Sequence, residues 1–263
     1  MNQIPDILYS DQESTTWLIV GASRGIGLEF VRILLGREER IIATVREPWA
    51  SHASGLWGQA GSDHGRCQMY LVDILSEESI VKFVADLTAI PNLKIDYVVL
   101  NAGVLRYPNV SVKICRSLAP TSFEEFAFHL HTNAIGPIIT AQKLLQTNIP
   151  IGTIVFMSSD SGSHGSFREM EDGFAAYAAS KAALNMAVRH MAAELKRKDD
   201  DTIILAMHPG EVATDMANIQ VSWEVHGIIS AEESVTKMID VIQSKGIQHS
   251  GTFWTYENKP YVW

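Results

Sequence analysis

Short runs of apolar residues recur along the chain, separated by segments whose apolar residues fall at helical spacing. The runs predict strands at residues 17–20, 41–45, 69–72, 95–100, 153–157, 203–206 and 252–256. Helices are predicted between them, at residues 26–36, 77–87, 123–145, 175–196 and 231–244. Ser230 followed by Glu233 is a capping-box pattern that marks the start of the last helix.

Strands that are apolar throughout and alternate with helices are typical of a parallel sheet buried on both faces. The expected fold is therefore α/β, a Rossmann-type doubly wound parallel sheet of about seven strands. The sequence contains no internal repeat, low-complexity tract or linker, so residues 1–263 are predicted to form a single domain. Residues 1–15 are expected to be an irregular N-terminal segment, and residues 48–66 a long loop.

The composition excludes several classes of protein. Of the 263 residues, 46% are hydrophobic and 19% are charged, which rules out a disordered chain. The formal net charge of −9 argues against nonspecific nucleic-acid binding, which needs a basic surface. No apolar stretch is long enough to span a membrane and no secretory signal is visible, so we expect a soluble, cytoplasmic protein. Cys67 and Cys115 are too few for a disulfide framework or a zinc site, and no metal is expected.

A glycine-rich turn joins the first predicted strand to the first helix. It reads Gly21-Ala22-Ser23-Arg24-Gly25-Ile26-Gly27. Glycines at this place permit a tight turn and a close approach of the backbone to a pyrophosphate, which the free N–H groups of the helix N-terminus attract. A glycine-rich loop alone is weak evidence, and an ordinary turn is the alternative. Its position after the first strand of an alternating chain favours dinucleotide binding.

Further motifs follow in order along the chain. They are Asp73 after the third predicted strand, Asn101-Ala102-Gly103 after the fourth, Asn133 in the next helix, Ser158-Ser159, Tyr177-x-x-x-Lys181, and Pro209-Gly210 with Val212 and Thr214. Together with the G-x-x-x-G-x-G spacing of the turn, this set resembles the short-chain dehydrogenase/reductase family over nearly the whole chain. Segments 180–185, 208–216 and 251–256 resemble its carbonyl reductase branch, which includes C-factor and sniffer. One departure is Val20, where the family often has a threonine whose hydroxyl stabilises the turn.

The resemblance implies a nicotinamide cofactor. The residues assigned to it are Gly21, Ser23, Arg24, Gly25, Ile26, Gly27, Arg46, Asp73, Asn101, Ala102, Gly103, Tyr177, Lys181, Pro209, Gly210, Val212 and Thr214. An NAD-selective relative would carry an acidic residue at the end of the second strand, where this chain has Val45 and then Arg46. Arg24 and Arg46 therefore favour NADP(H) by binding a 2′-phosphate, with solvated surface arginines as the alternative. Asp73 resembles the family residue that contacts the adenine, and a capping role is the alternative.

Tyr177 and Lys181 lie one turn apart on a predicted helix, so their side chains share a face. We expect the ammonium group to lower the pKa of the phenol toward the range useful for acid–base work. The resemblance implies that Lys181 also holds the nicotinamide ribose, that Ser159 at the end of the fifth strand polarises the substrate carbonyl, and that Asn133 holds a water linked to Lys181. The alternatives are a strand-capping role for Ser159, the use of Ser158 in its place, and an ordinary helix position for Asn133.

Residues 163–174 make the segment between Ser159 and Tyr177 longer than is usual in the family, and we expect them to line the substrate entrance. The candidates for substrate contact are His164, Phe167 and Met170 there, and Trp223 and His226 in a second wall at residues 217–228. The leading hypothesis is an NADPH-dependent carbonyl reductase for a small apolar or aromatic ketone or aldehyde. It is expected to form a homodimer or homotetramer, without nucleic-acid or membrane partners. The alternatives are non-redox dehydration or cyclisation on bound NADP, and a nicotinamide-binding sensor without turnover.

Overall fold

The computed structural model describes residues 14–47, 65–106, 122–171, 173–221 and 223–263. Its strands are β1 (Thr16–Val20), β2 (Arg40–Val45), β3 (Cys67–Leu71), β4 (Ile95–Leu100), β5 (Ile151–Met157), β6 (Ile203–His208) and β7 (Thr252–Thr255). Its α-helices are α1 (Gly25–Gly36), α2 (Glu77–Thr88), α3 (Phe123–Leu130), α4 (Gly136–Leu145), α5 (Ala175–Arg197) and α6 (Ala231–Gln243). Cys115 and most of the segments predicted at 1–15 and 48–66 lie outside the described residues.

The seven strands run parallel in one sheet, in the order β3-β2-β1-β4-β5-β6-β7. The chain builds outward from β1 to β3, crosses back to β4 on the other side of β1, and then builds outward again to β7. This is the doubly wound arrangement, so the fold class expected from the sequence is confirmed.

Both faces of the sheet are covered, which explains why the strands are apolar at nearly every position. In β1, Leu18 and Val20 face one core, which is shared with residues of α2, α4 and α5. Trp17 and Ile19 face the opposite core, shared with residues of α1 and α6. All four side chains are at most 1% exposed. An unpaired polar residue on either face of the strand would therefore be buried at a cost in stability.

Several details of the predicted elements are wrong. The helix predicted at 123–145 contains a π turn at His131–Ile135, which separates α3 from α4. The capping box at Ser230 is only half formed: Ser230 Oγ accepts from Glu233 N at 3.0 Å. The carboxylate of Glu233 instead accepts from Lys237 Nζ at 2.7 Å, one turn further along the helix. The third strand begins and ends earlier than residues 69–72.

None of the helices in the described ranges is long and apolar enough to cross a bilayer. Among the same residues, no group of three or more His, Cys, Asp or Glu side chains is placed to hold a metal ion. The homodimer or homotetramer that the family resemblance implies stays a prediction.

The close contact between α4 and the turn after β3 allows a stability test. A Cβ at Gly136 would lie 2.6 Å from the main-chain O of Ile74, whereas a Cβ at Gly36 would meet nothing within 4 Å. Gly136→Ala is therefore expected to destabilise the fold by about 1–3 kcal/mol, because the backbone must shift. Gly36→Ala, the matched control, should be neutral or slightly stabilising, since alanine favours a helix. Chemical denaturation measures both, and equal free energies of unfolding would contradict the contact.

Candidate functional site

The predicted site residues gather at the carboxyl ends of the strands. β1 and β4 are neighbours in the sheet although the chain leaves β1 toward β2, so a crevice opens between the loops that follow them. The glycine turn follows β1, and residues 101–103 follow β4. The main-chain N–H groups of Asn101 and Ala102 both donate to Val20 O, at 3.0 and 2.9 Å. These two hydrogen bonds fasten the loops together.

Close backbone contacts fix the glycine turn. Gly21 has a φ of +88°, and a Cβ there would lie 2.7 Å from the Cα of Ala102. A Cβ at Gly27 would collide with the main-chain O of Gly21. The same oxygen accepts a hydrogen bond from Asn101 Nδ2 at 2.8 Å. Arg24, the residue before α1, makes no side-chain capping bond, so the first N–H groups of the helix can bind an anion.

Thr44 on β2 supplies the hydroxyl that Val20 lacks. Its Oγ1 accepts from Gly21 N at 3.1 Å, and its main-chain O accepts from Ala22 N at 2.8 Å. Thr44 is buried, so these bonds are shielded from water. No sequence motif marks Thr44, because its role depends on the strand register, in which it pairs with Val20.

The two arginines predicted to bind a phosphate are exposed. Arg24 Nη1 lies 3.6 Å from an Asp215 carboxylate oxygen, and Arg46 Nε lies 3.5 Å from a Glu47 carboxylate oxygen. Exposed pairs of this kind contribute little to stability. Both guanidinium groups are therefore available to a ligand phosphate, and their role in cofactor binding stays a prediction.

The N-cap of α2 is Ser76, so the capping alternative for Asp73 is wrong. Asp73 instead shapes the turn before the helix. Its Oδ1 accepts from Leu75 N at 3.0 Å, and its own N–H donates to Ser79 Oγ at 3.0 Å. These bonds shape the turn that leads from β3 into α2. A contact between Asp73 and an adenine stays a prediction.

The segment after β6 lies beside the glycine turn. It carries the predicted residues Pro209, Gly210, Val212 and Thr214. A Cβ placed on Gly25 would lie 3.5 Å from Thr214 Cγ2, which brings the two loops into contact. Gly210 has a φ of +86°, and a Cβ there would lie 2.7 Å from the ring of Tyr256. Together these loops bound the crevice on the side of β6.

Tyr177 and Lys181 lie one turn apart on α5, and Lys181 Nζ is 5.8 Å from the centroid of the Tyr177 ring. Lys181 Nζ donates to Met157 O at 2.8 Å, so the end of β5 holds the ammonium. Burial lowers the pKa of Lys181 to about 8. Burial raises the pKa of Tyr177 above its ordinary value, and a hydrogen bond with Ser159 offsets only part of this rise. The expected lowering of the Tyr177 pKa is therefore wrong, because desolvation of the phenolate dominates.

Ser159, and not Ser158, faces Tyr177. Ser158 Oγ donates to Asn185 Oδ1 at 2.5 Å and is buried against α5. Ser159 is close enough to Tyr177 to lower the pKa of the phenol, and its Oγ donates to Asp160 Oδ1 at 3.1 Å. It lies just beyond β5, so the expectation that it ends the strand is wrong. The geometry nevertheless favours Ser159 over its neighbour as a group that reaches the substrate.

Asn133 lies in the π turn, and its amide group is fully used by the protein. Its Oδ1 accepts from Val104 N at 2.8 Å, and its Nδ2 donates to Val104 O at 2.9 Å and to Ser180 Oγ at 3.0 Å. The side chain is 0% exposed. Since a π turn breaks the i+4 pairing of an α-helix, a main-chain carbonyl there is the better candidate for holding a water. The water-holding role of Asn133 stays a prediction.

His129 is a further buried residue beside the site. Its Nε2 accepts from Arg106 N at 3.1 Å, and its Nδ1 lies 2.9 Å from Glu125 O. These partners require a neutral ring with its proton on Nδ1. The ring centroid is 6.4 Å from that of Tyr177. His129 and Asn133, one turn apart, therefore hold residues 104–106 against the helix. The four-residue spacing between His129 and Asn133, which places both on one helix face, is the sequence signal from which His129 could have been predicted.

The structure connects one of the predicted substrate contacts to Tyr177. The Phe174 ring contacts both Trp223 and Tyr177, with centroid separations of 5.4 and 6.1 Å. An aromatic wall thus extends from Tyr177 to the second loop. The other candidates, Phe167, Met170, His164 and His226, are exposed. Their contact with a substrate stays a prediction.

Comparisons with known proteins agree with this geometry. The family model described as short chain dehydrogenase matches residues 15–225. An uncharacterized oxidoreductase of Saccharomyces cerevisiae is 30% identical over 256 residues, covering 92% of this chain and 95% of the relative. C-signal of Myxococcus xanthus is 32% identical over 170 residues, covering 64% of this chain and 93% of the relative. Among solved structures, the NADPH-bound carbonyl reductase from chicken fatty liver matches with a TM-score of 0.81 and 26% identity. The match covers 95% of this chain and 99% of the reductase.

The buried ammonium of Lys181 makes stability depend on pH. Its folded pKa of about 8 lies below the ordinary value of 10.5, so between these two pH values the unfolded chain binds more protons. The contribution of Lys181 to the free energy of unfolding should therefore rise with pH through this window, by at most about 1.4 kcal/mol per pH unit.

Chemical denaturation across the window measures this slope. Lys181→Met should remove it, whereas Lys196→Met, which changes an exposed lysine near the end of the same helix, should keep it. A wild-type slope equal to that of Lys181→Met would contradict the burial of the charge.

Proposed function

Because the chain belongs to the short-chain dehydrogenase family, we propose that it is an NADP(H)-dependent oxidoreductase that reduces the carbonyl group of a small apolar or aromatic metabolite. One observation carries the proposal. Tyr177 is half-buried, lies beside Ser159 and is one turn from Lys181, at the edge of the sheet where the glycine turn lies. The NADPH-bound carbonyl reductase of similar fold supports both the nucleotide and the class of reaction.

The residues around the glycine turn fit a phosphorylated dinucleotide. Gly21 and Gly27 allow the turn to pack closely against residues 101–102 and against itself, and the first N–H groups of α1 lack a capping side chain and can bind a phosphate. Arg24 and Arg46 would hold the 2′-phosphate, and Lys181 would hold the nicotinamide ribose. When bound, the nicotinamide supplies the hydride.

Tyr177 acts as the proton donor. Since burial raises its pKa, the phenol keeps its proton at neutral pH and can deliver it to the oxygen of the carbonyl as that oxygen gains negative charge. The hydroxyl of Ser159 adds a second hydrogen bond to the same oxygen. Phe174 and Trp223 form an apolar wall beside the phenol, which favours an apolar or aromatic substrate.

A screen of ketones and aldehydes, followed by the loss of NADPH absorbance, tests the reaction. Oxidation of NADPH that depends on an apolar or aromatic carbonyl compound would support the proposal. Tight NADPH binding without oxidation across the screen would instead favour a sensor, and substrate conversion without NADPH oxidation would favour non-redox chemistry.

Tyr177→Phe tests the proton donor. The change keeps the ring and its contacts with Phe174 and removes only the hydroxyl. Single-turnover NADPH oxidation should fall by about 10²–10⁴-fold, because a positioned acid is lost, while NADPH affinity stays nearly unchanged. Lys181→Ala should reduce both the rate and the affinity. Hydride transfer at the wild-type rate in Tyr177→Phe would contradict the mechanism.

Arg46→Asp tests the choice of cofactor. The wild type should bind NADPH more tightly than NADH, and the variant should lose about tenfold or more of its NADPH affinity, because a charge-assisted bond is worth about 1.5–3 kcal/mol. Titration calorimetry with each nucleotide measures the effect. Arg197→Asp, at an exposed position at the end of α5, controls for the change in net charge. Equal affinity of the wild type for both nucleotides would refute the assignment.

A further inference from the structure

A buried carboxylate lies against the hydroxyl that contacts the proton donor. Asp160 is 6% exposed, and its Oδ1 accepts from Ser159 Oγ at 3.1 Å and from Ser161 N at 2.9 Å. Ser159 has a single hydroxyl hydrogen, and in this arrangement that hydrogen is donated to Asp160 in a hydrogen bond. To donate to a substrate carbonyl, Ser159 must turn away from Asp160. The strength of the bond to Asp160 therefore opposes that step.

Arg168 neutralises this carboxylate. It comes from the long segment between Ser159 and Tyr177, and its Nη1 is in direct contact with Asp160 Oδ2. The same guanidinium lies 2.7 Å from a Glu171 oxygen, through Nε, and 3.2 Å from a Glu211 oxygen, through Nη1. A planar guanidinium can bind several carboxylates at once, which a lysine does less well. Arg168 thus gathers three carboxylates around one positive charge.

We propose that Arg168 is a positioning residue. By pairing with Asp160, it weakens the hydrogen bond between that carboxylate and Ser159, so that the Ser159 hydroxyl can turn to the carbonyl oxygen of the substrate. This inference rests on the proposed reductase function. It gives the long segment a role in the reaction besides lining the entrance. The role is indirect, because Arg168 acts through Asp160 on Ser159.

The charges near the proton donor come from several elements. These titratable and charged groups are Asp160 after β5, Arg168 and Glu171 on the long segment, His208 at the end of β6, Glu211 after it, Lys181 on α5 and His129 on α3. Burial acts to raise the pKa of Asp160, but His208 and Arg168 outweigh it and hold that pKa below its ordinary value. Burial lowers the pKa of His208, which favours its neutral form. Arg168 is thus the permanent positive charge on Asp160.

Removing Arg168 has a predictable electrostatic result. Asp160 would keep its burial but lose this charge, so its pKa would rise. Above that pKa the unpaired carboxylate would bind the Ser159 hydrogen more strongly, and it would also make the Tyr177 phenol a weaker acid. Both effects slow proton delivery, and both disappear if Asp160 cannot ionise.

The long segment has a second attachment that does not involve Arg168. Ser163 Oγ donates to Val262 O at 2.8 Å, and Gly165 N donates to Trp263 O at 2.6 Å. The segment should therefore keep its place in a variant that lacks the arginine. A change in rate can then be separated from a loss of folding, which thermal denaturation monitors.

The test compares four proteins by single-turnover NADPH oxidation with a carbonyl substrate from the screen. Arg168→Met should slow hydride transfer about 10- to 100-fold at pH 8, with NADPH affinity unchanged, and should recover toward acid pH as Asp160 is protonated. Asp160→Asn in the Arg168→Met background should restore most of the rate and abolish this pH dependence. Arg168→Lys should retain most of the rate, and Arg197→Met, an exposed control, should behave as the wild type.

Each outcome decides the proposal. A double variant as slow as Arg168→Met, or a slow Arg168→Met without pH dependence, would show that Arg168 only supports the segment. Wild-type rates in Arg168→Met would overturn the inference while the reductase function stands. A wild type that reduces no carbonyl compound would overturn both.

Discussion

Burial of both faces of the parallel sheet is the constraint on which the rest of the structure depends. Since the inner strands must be largely apolar, polar chemistry is concentrated at the places where strands end. The last carbonyl groups of the strands then become fixed acceptors. Val20 O holds the loop after β4, and Met157 O holds the ammonium of Lys181. The sheet therefore positions the site through its own main chain as well as through the loops.

The sequence predicts well those parts of the site whose residues lie close together along the chain. The glycine turn and the Tyr177–Lys181 pair could be located because their members are close in sequence and one helix or turn sets their geometry. Thr44 could not be found in this way, since its bond to Gly21 depends on strand register. The sequence-based expectation for the pKa of Tyr177 is wrong for a related reason: burial by elements that are distant in sequence raises that pKa.

Two ionisable groups of the site, Lys181 and Tyr177, lie where desolvation makes their charged forms unfavourable. A buried lysine with a lowered pKa and a half-buried tyrosine with a raised pKa both lie in surroundings that disfavour their charged forms. Such groups contribute less to stability than apolar residues of the same size would, and proteins retain them where a reaction needs them. The close packing of the glycine turn against the loop after β4 fixes the backbone beside these groups.

The hydrogen bonds from Ser163 and Gly165 to the carbonyl groups of Val262 and Trp263 join positions that are nearly one hundred residues apart. Contacts of such long range form late in folding, because a large loop must close first. During synthesis from the N-terminus, the ribosome has already made the glycine turn, the serine and the tyrosine before it reaches residue 262. Residues 163–165 thus gain these two partners only after the glycine turn, Ser159 and Tyr177 have been synthesised.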